Sequence, residues 1–133
     1  MDLANPRLKT IKRLFAVSGN CCYFPNCNTP LVDEESGIIT GEICHIKGKK
    51  TVSPRYDSEQ SEEERHGFDN LLLMCPIHHK VIDDDSASYT FSRLKEIKSS
   101  HEKIHTEGEE LSDDAAFQPY HNFRFSFHSY KYI

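Results

Sequence analysis

Apolar residues recur at helical spacing near the start of the chain: Leu8, Ile11, Leu14 and Phe15 fall on one face, which predicts a helix. Asn5 as N-cap and Pro6 at the first helical position would open it, and Gly19 would close it ahead of Cys21. The β-branched run "IITGEICHI" predicts a short strand ending near His45. From Lys47 to Gly67 no period is sustained, so a long polar loop with one helical turn at "SEEER" is expected. "DNLLLMCPIHHKVIDD" reads as a short strand or turn running into a helix that starts near Pro76. Thr90 can cap a further helix whose apolar side is Phe91, Leu94, Ile97 and His101. Near the end, Phe123, Phe125 and Phe127 alternate with Arg124 and Ser126, the pattern of a half-buried strand.

These elements describe an α+β domain with a thin core. Of 133 residues 37% are hydrophobic, none is Trp, and 28% are charged, so a metal staple is a reasonable addition. Five cysteines, an odd number, without an N-terminal secretion pattern favour thiolate ligands over a disulfide framework. No stretch nears the roughly 20 apolar residues needed to cross a bilayer, so a cytoplasmic protein without a membrane partner is expected. The net charge of -5 lacks the broad basic footprint of many DNA-binding domains. Any contact with nucleic acid must then be local or carried by a metal.

Cys22 and Cys27 enclose four residues, Cys75 and His78 enclose two, and a loop-bearing insert separates the pairs. Zinc in a structural site takes four N or S ligands, commonly as two short-spaced pairs, and these four residues meet that need. Buried, small apolar cysteines with a core histidine are the bland alternative. Cys21 can take the place of Cys22, although Cys22 is preferred, and Cys44 can be a plain buried strand residue. If zinc takes His78, the adjacent His79 faces elsewhere, and His45 and Asn70 are polar residues in apolar settings that can meet it. Phosphodiester hydrolysis requires a base for water and a hard cation for the charge that develops.

The segments "SGNCCYFPNC", "GEICHIKG", "SPRYD", "EERHGFDNLLLMCPIHHKVID" and "YTFSRLKEIKSSHE" together resemble the HNH endonuclease domain of the ββα-metal type with an embedded zinc knuckle. The likeness spans about residues 8 to 105 and is nearest to the HNH modules of bacterial anti-phage effectors, including those fused to SAVED sensor domains. It implies a metal-dependent DNA endonuclease of little sequence specificity, with DNA as partner. His45 corresponds to the general base, and Asn70 to the middle residue that orients the base or supports the strand-to-helix loop. His79 corresponds to a ligand of the catalytic cation, Mg²⁺ or another divalent ion. Cys22, Cys27, Cys75 and His78 correspond to the structural Zn²⁺ ligands.

One departure is Cys44, where many members of that family have Asp or His as a second ligand of the cation. A thiolate suits Mg²⁺ poorly, which leaves water and phosphate, Glu42 or Asp57 to complete the site. Arg55 in "SPRYD", with Lys47, Lys49 and Lys50, supplies candidate phosphate contacts, the lysines being equally readable as a solvated run. His66, His101, His105, His121 and His128 are read as surface or core residues. The expected organisation is a nuclease domain over residues 1–106, an acidic linker over 107–116 and an aromatic tail over 117–133. The tail either covers the nuclease core as an edge strand or docks on a regulatory or sensor protein or a second copy. The competing reading of the whole is a non-catalytic zinc module that binds nucleic acid or protein.

Overall fold

The structure, a computed structural model, describes residues 4–107. The aromatic tail, and the linker from residue 108 onward, lie outside the described residues. In chain order the elements are α1 (Leu8–Val17), β1 (Glu42–His45), α2 (Glu62–Arg65), a 3₁₀ turn (Phe68–Asn70), β2 (Leu71–Met74), α3 (Pro76–Asp84) and α4 (Phe91–Thr106). Helices are packed around a two-stranded antiparallel sheet, a small α+β arrangement.

Strand β2, "LLLM", is buried at every position and forms the centre of the core. It pairs with β1 in the register Glu42 to Met74, Ile43 to Leu73, Cys44 to Leu72 and His45 to Leu71. Its carbonyls also serve a third segment, because Tyr23 N–H donates to Leu73 O at 2.9 Å. The loop that carries Cys22 is thereby fixed beside the end of β2. Leu14, Leu31, Ile46, Ile82 and Leu94 close over the sheet with no exposed surface, each such burial contributing roughly 1.5–3 kcal/mol.

Helix α4 holds the cysteine loop from the other side. Tyr23 Oη donates to Glu102 Oε2 at 2.8 Å, and the buried Lys98 donates to the same oxygen at 2.7 Å. The His101 ring stacks on Tyr23 at 4.1 Å. Thr90 caps α4 as the sequence predicts, its Oγ1 accepting from Arg93 N at 3.2 Å.

Helix α1 starts later than the sequence suggests. Its N-cap is Arg7, without a side-chain cap, and Asn5 is used elsewhere, accepting from Lys49 Nζ at 3.0 Å. Arg7 makes two hydrogen bonds of 2.8 Å to Glu63, which draws the start of α1 onto α2. A tertiary bond has displaced a local cap.

The polar stretch 47–67 is organised around a buried arginine. Arg65, 3% exposed, donates to the carbonyls of Gly48, Asp57 and Gln60 and to Glu62. α2 is fixed by a capping box in which Ser61 and Glu64 exchange side chain to backbone hydrogen bonds.

Candidate functional site

The segment Cys75–His79 divides its side chains between two places. Pro76 occupies the first turn of α3, where its missing N–H costs no hydrogen bond, and Cys75 stands just ahead of the helix. Successive helix residues are about 100° apart. His78 therefore turns back toward the cysteines, and His79 turns toward β1.

On the first side, the ligand atoms of Cys22, Cys27, Cys75 and His78 all lie within 4.8 Å of one another. His78 Nδ1 is 3.3 Å from Cys75 Sγ and 3.9 Å from Cys22 Sγ. Tetrahedral zinc bonds place such atoms roughly 3.5–3.8 Å apart, so the four residues can hold a metal ion and suit zinc. Cys22 Sγ accepts from Cys75 N–H at 3.2 Å, and His78 stacks on Phe24 at 3.9 Å with planes 3° apart. Burial pushes the Cys22 thiol up to about 12, whereas at Cys27 burial is outweighed by hydrogen bonds with Thr29, which lower its value. A cation is what would keep Cys22 ionised there. Cys21 stands outside this group, with Sγ 3.2 Å from Cys27 O.

On the second side, His79 lies between two carboxylates. Its Nδ1 is 2.8 Å from Glu42 Oε1 on β1, and its Nε2 is 3.1 Å from Asp83 Oδ2, one helical turn along α3. Hydrogen bonding to Asp83, and then to Glu42, raises the His79 pKa against the effect of burial. Burial alone would raise Asp83, but His79 and Arg55 outweigh it and keep that carboxyl low. Glu42, expected as a candidate second ligand, does reach His79, but on the ring nitrogen opposite Asp83. Asp57, the other candidate, is committed to Lys47 at 2.8 Å. Asp83 was missed by the sequence reading, although its spacing of four from His79 within a helix was a usable signal.

Arg55 departs from expectation. Its guanidinium, 7% exposed, donates to Asp83 Oδ1 at 2.8 Å, to the carbonyls of Ile82 and Tyr89, and through Nε to Ile46 O. The phosphate contact expected of it is replaced by an internal role, orienting Asp83 and joining the loop to α3. Its backbone is left-handed, with φ of 59°, a conformation that costs a non-glycine residue roughly 1–2 kcal/mol. Lys49 and Lys50 are on the exposed loop, while Lys47 sits over the Phe91 ring.

His45 ends β1, half-buried, with Nε2 3.1 Å from His66 Nδ1. Burial, followed by the charges of His66, Lys49 and Arg65, lowers its pKa to about 4, and Asp83 opposes this. It is thus neutral near pH 7. Asn70 does not bond the His45 ring; it accepts from Lys47 N and donates to the carbonyls of Lys47 and Arg65, tying the loop after β1 to the start of β2. The Cys44 thiol, which donates to Glu42 O, is buried and held well above its ordinary pKa by that burial, then by Asp83 and Glu42.

Comparison with protein-family models and with curated protein sequences returns no match. No helix among the described residues is long and apolar enough to cross a membrane.

Proposed function

We propose that the chain is a metal-dependent HNH-type DNA endonuclease, cutting phosphodiester bonds with little sequence preference, as in the anti-phage effector modules it resembles. The observation that carries this reading is the divergence of His78 and His79. One histidine completes a closed Cys and His set, and the next meets oxygen ligands on an open face. A module needing only zinc has no use for the second arrangement.

His79 and Asp83 are the residues that would hold a divalent cation, one nitrogen and one oxygen donor, leaving room for water and phosphate oxygens. Glu42, on the other ring nitrogen, would fix the His79 tautomer. The cation would neutralise charge on the phosphate and the leaving oxygen. His45, uncharged at neutral pH, takes a proton from water, and the resulting hydroxide attacks phosphorus opposite the 3′ oxygen. Arg55 and Asn70 act behind this face, holding Asp83 and the loop after His45. Lys49 and Lys50, on the exposed loop after His45, would meet the DNA backbone.

Plasmid nicking with Mg²⁺, Mn²⁺ or Ni²⁺ tests the proposal. Wild-type protein should nick, and His45→Ala should lose about 10²–10⁴-fold in rate, the usual contribution of a general base. Equal behaviour of the two proteins under every metal would contradict it.

A further inference from the structure

His45 has a second histidine behind it and a carboxylate behind that. The His45 and His66 rings meet edge to face, at 87° with centroids 5.1 Å apart, and Nε2 of the first is 3.1 Å from Nδ1 of the second. His66 Nε2 lies 3.4 Å from Glu62 Oε2. His66 is 2% exposed, so its ring nitrogens depend on these partners.

The direction of each hydrogen bond follows from the chemistry of the end group. Glu62 is kept ionised by its hydrogen bond with Arg65, 2.9 Å away, and an ionised carboxylate only accepts. His66 must then carry its hydrogen on Nε2, which leaves Nδ1 as an acceptor. His45 in turn donates from Nε2, and its Nδ1 keeps the free lone pair. The chain of contacts selects which atom of His45 is basic.

We propose that His66 and Glu62 are positioning residues for His45, fixing its tautomer and receiving a proton from it during hydrolysis. This rests on the nuclease reading of His45. A water O–H bond breaks and its proton bonds to His45 Nδ1; the Nε2 proton of His45 passes to His66 Nδ1, leaving His66 cationic beside Glu62. The hydroxide oxygen bonds to phosphorus as the bond to the 3′ oxygen breaks. Charge made at the reacting end is thus carried to the carboxylate at the other end.

The groups facing the pair are Glu62 and Arg65 on α2, Lys49 on the loop after β1, and Asp83 on α3. Glu62 and Asp83 favour the protonated pair, and Lys49 and Arg65 disfavour it. The two rings share one hydrogen bond, so a change of charge at Glu62 is felt by both. Removing the charge of Glu62 should therefore lower the apparent pKa of the pair.

The test uses the zinc-loaded full chain, with His66→Asn and Glu62→Gln. Asparagine can still accept from His45 but cannot take its proton. Nitrogen-15 imidazole spectra at neutral pH should show both His45 and His66 with hydrogen on Nε2. Each variant should keep its zinc and its KM for plasmid, and lose about 10–100-fold in kcat, the range seen for residues that orient a catalytic ligand. In Glu62→Gln the acid limb of the kcat profile should also move to lower pH, which a purely structural defect would not cause. Hydrogen on Nδ1 of His45, or unchanged kcat and acid limb in both variants while wild type nicks, would overturn the relay alone. Absence of nicking by wild type under every metal would overturn the nuclease reading, and the catalytic role of the relay with it.

Discussion

The two sides of the Cys75–His79 segment differ in how much of a metal's coordination they supply. The Cys and His side offers four ligands drawn from two distant segments, packed beside Met74 and under Phe24, which by themselves fill a tetrahedral set. The His79 side offers one ring and two carboxylates on opposite nitrogens, half exposed to solvent. A complete set serves folding, whereas an incomplete one leaves positions for water and substrate. Two adjacent residues of one helix can serve both ends because the helix sends them in different directions.

The largest effect should come from the closed side. Cys75→Ala should lose the one zinc per chain and with it cooperative folding, because structural zinc supplies roughly 10–16 kcal/mol in small domains. Elemental analysis and a thermal melt check this. A well-folded, zinc-free variant would break the comparison at its first term.

Behind the open side, Arg55→Met should destabilise by about 3–5 kcal/mol, because a buried guanidinium is removed and Asp83 keeps only His79 as a partner. The carbonyls of Ile46, Ile82 and Tyr89 lose their donor in the same step. Denaturant unfolding gives the number. A stable variant with weakened DNA binding would instead return Arg55 to the phosphate role.

A smaller effect concerns acid. Burial, aided by His105 and Lys98 and opposed by the carbonyls of Ser18 and Cys21, lowers the His101 pKa to about 4. The unfolded chain binds that proton from about pH 6.5 downward, so His101 contributes stability that is full above that pH and lost as pH falls toward 4. His101→Gln should be less stable than wild type near pH 7, with the gap narrowing between pH 6.5 and 4. Loss of zinc in acid affects both proteins and cancels in the gap. Melting temperatures of the pair across that range provide the check.

Much of this was legible in the sequence, for local reasons. α3 and α4 follow from Pro76, Thr90 and apolar residues at helical spacing, and the ligand pairs from the spacing of Cys22, Cys27, Cys75 and His78. Cys22 was already preferred over Cys21 in the sequence, and the fold agrees: with Tyr23 bonded to Leu73, the Cys22 thiol lies against Cys75. Arg55 and Asn5 were misjudged, and Arg65 was passed over, for a common reason. Each is a polar side chain on a polar stretch, and each is taken up by a segment far away in sequence. His66 also shows its partner His45 only after β1 and α2 have packed, although Glu62, four residues before it, was a local sign of a held ring.

The central claim is that His78 and His79 serve different sites. It is tested most directly by measuring zinc content and plasmid nicking on the same preparation of His79→Ala. The account predicts one zinc per chain, a wild-type circular dichroism spectrum, and nicking reduced by more than about 100-fold. Loss of zinc together with fold, or nicking at the wild-type rate, would contradict it.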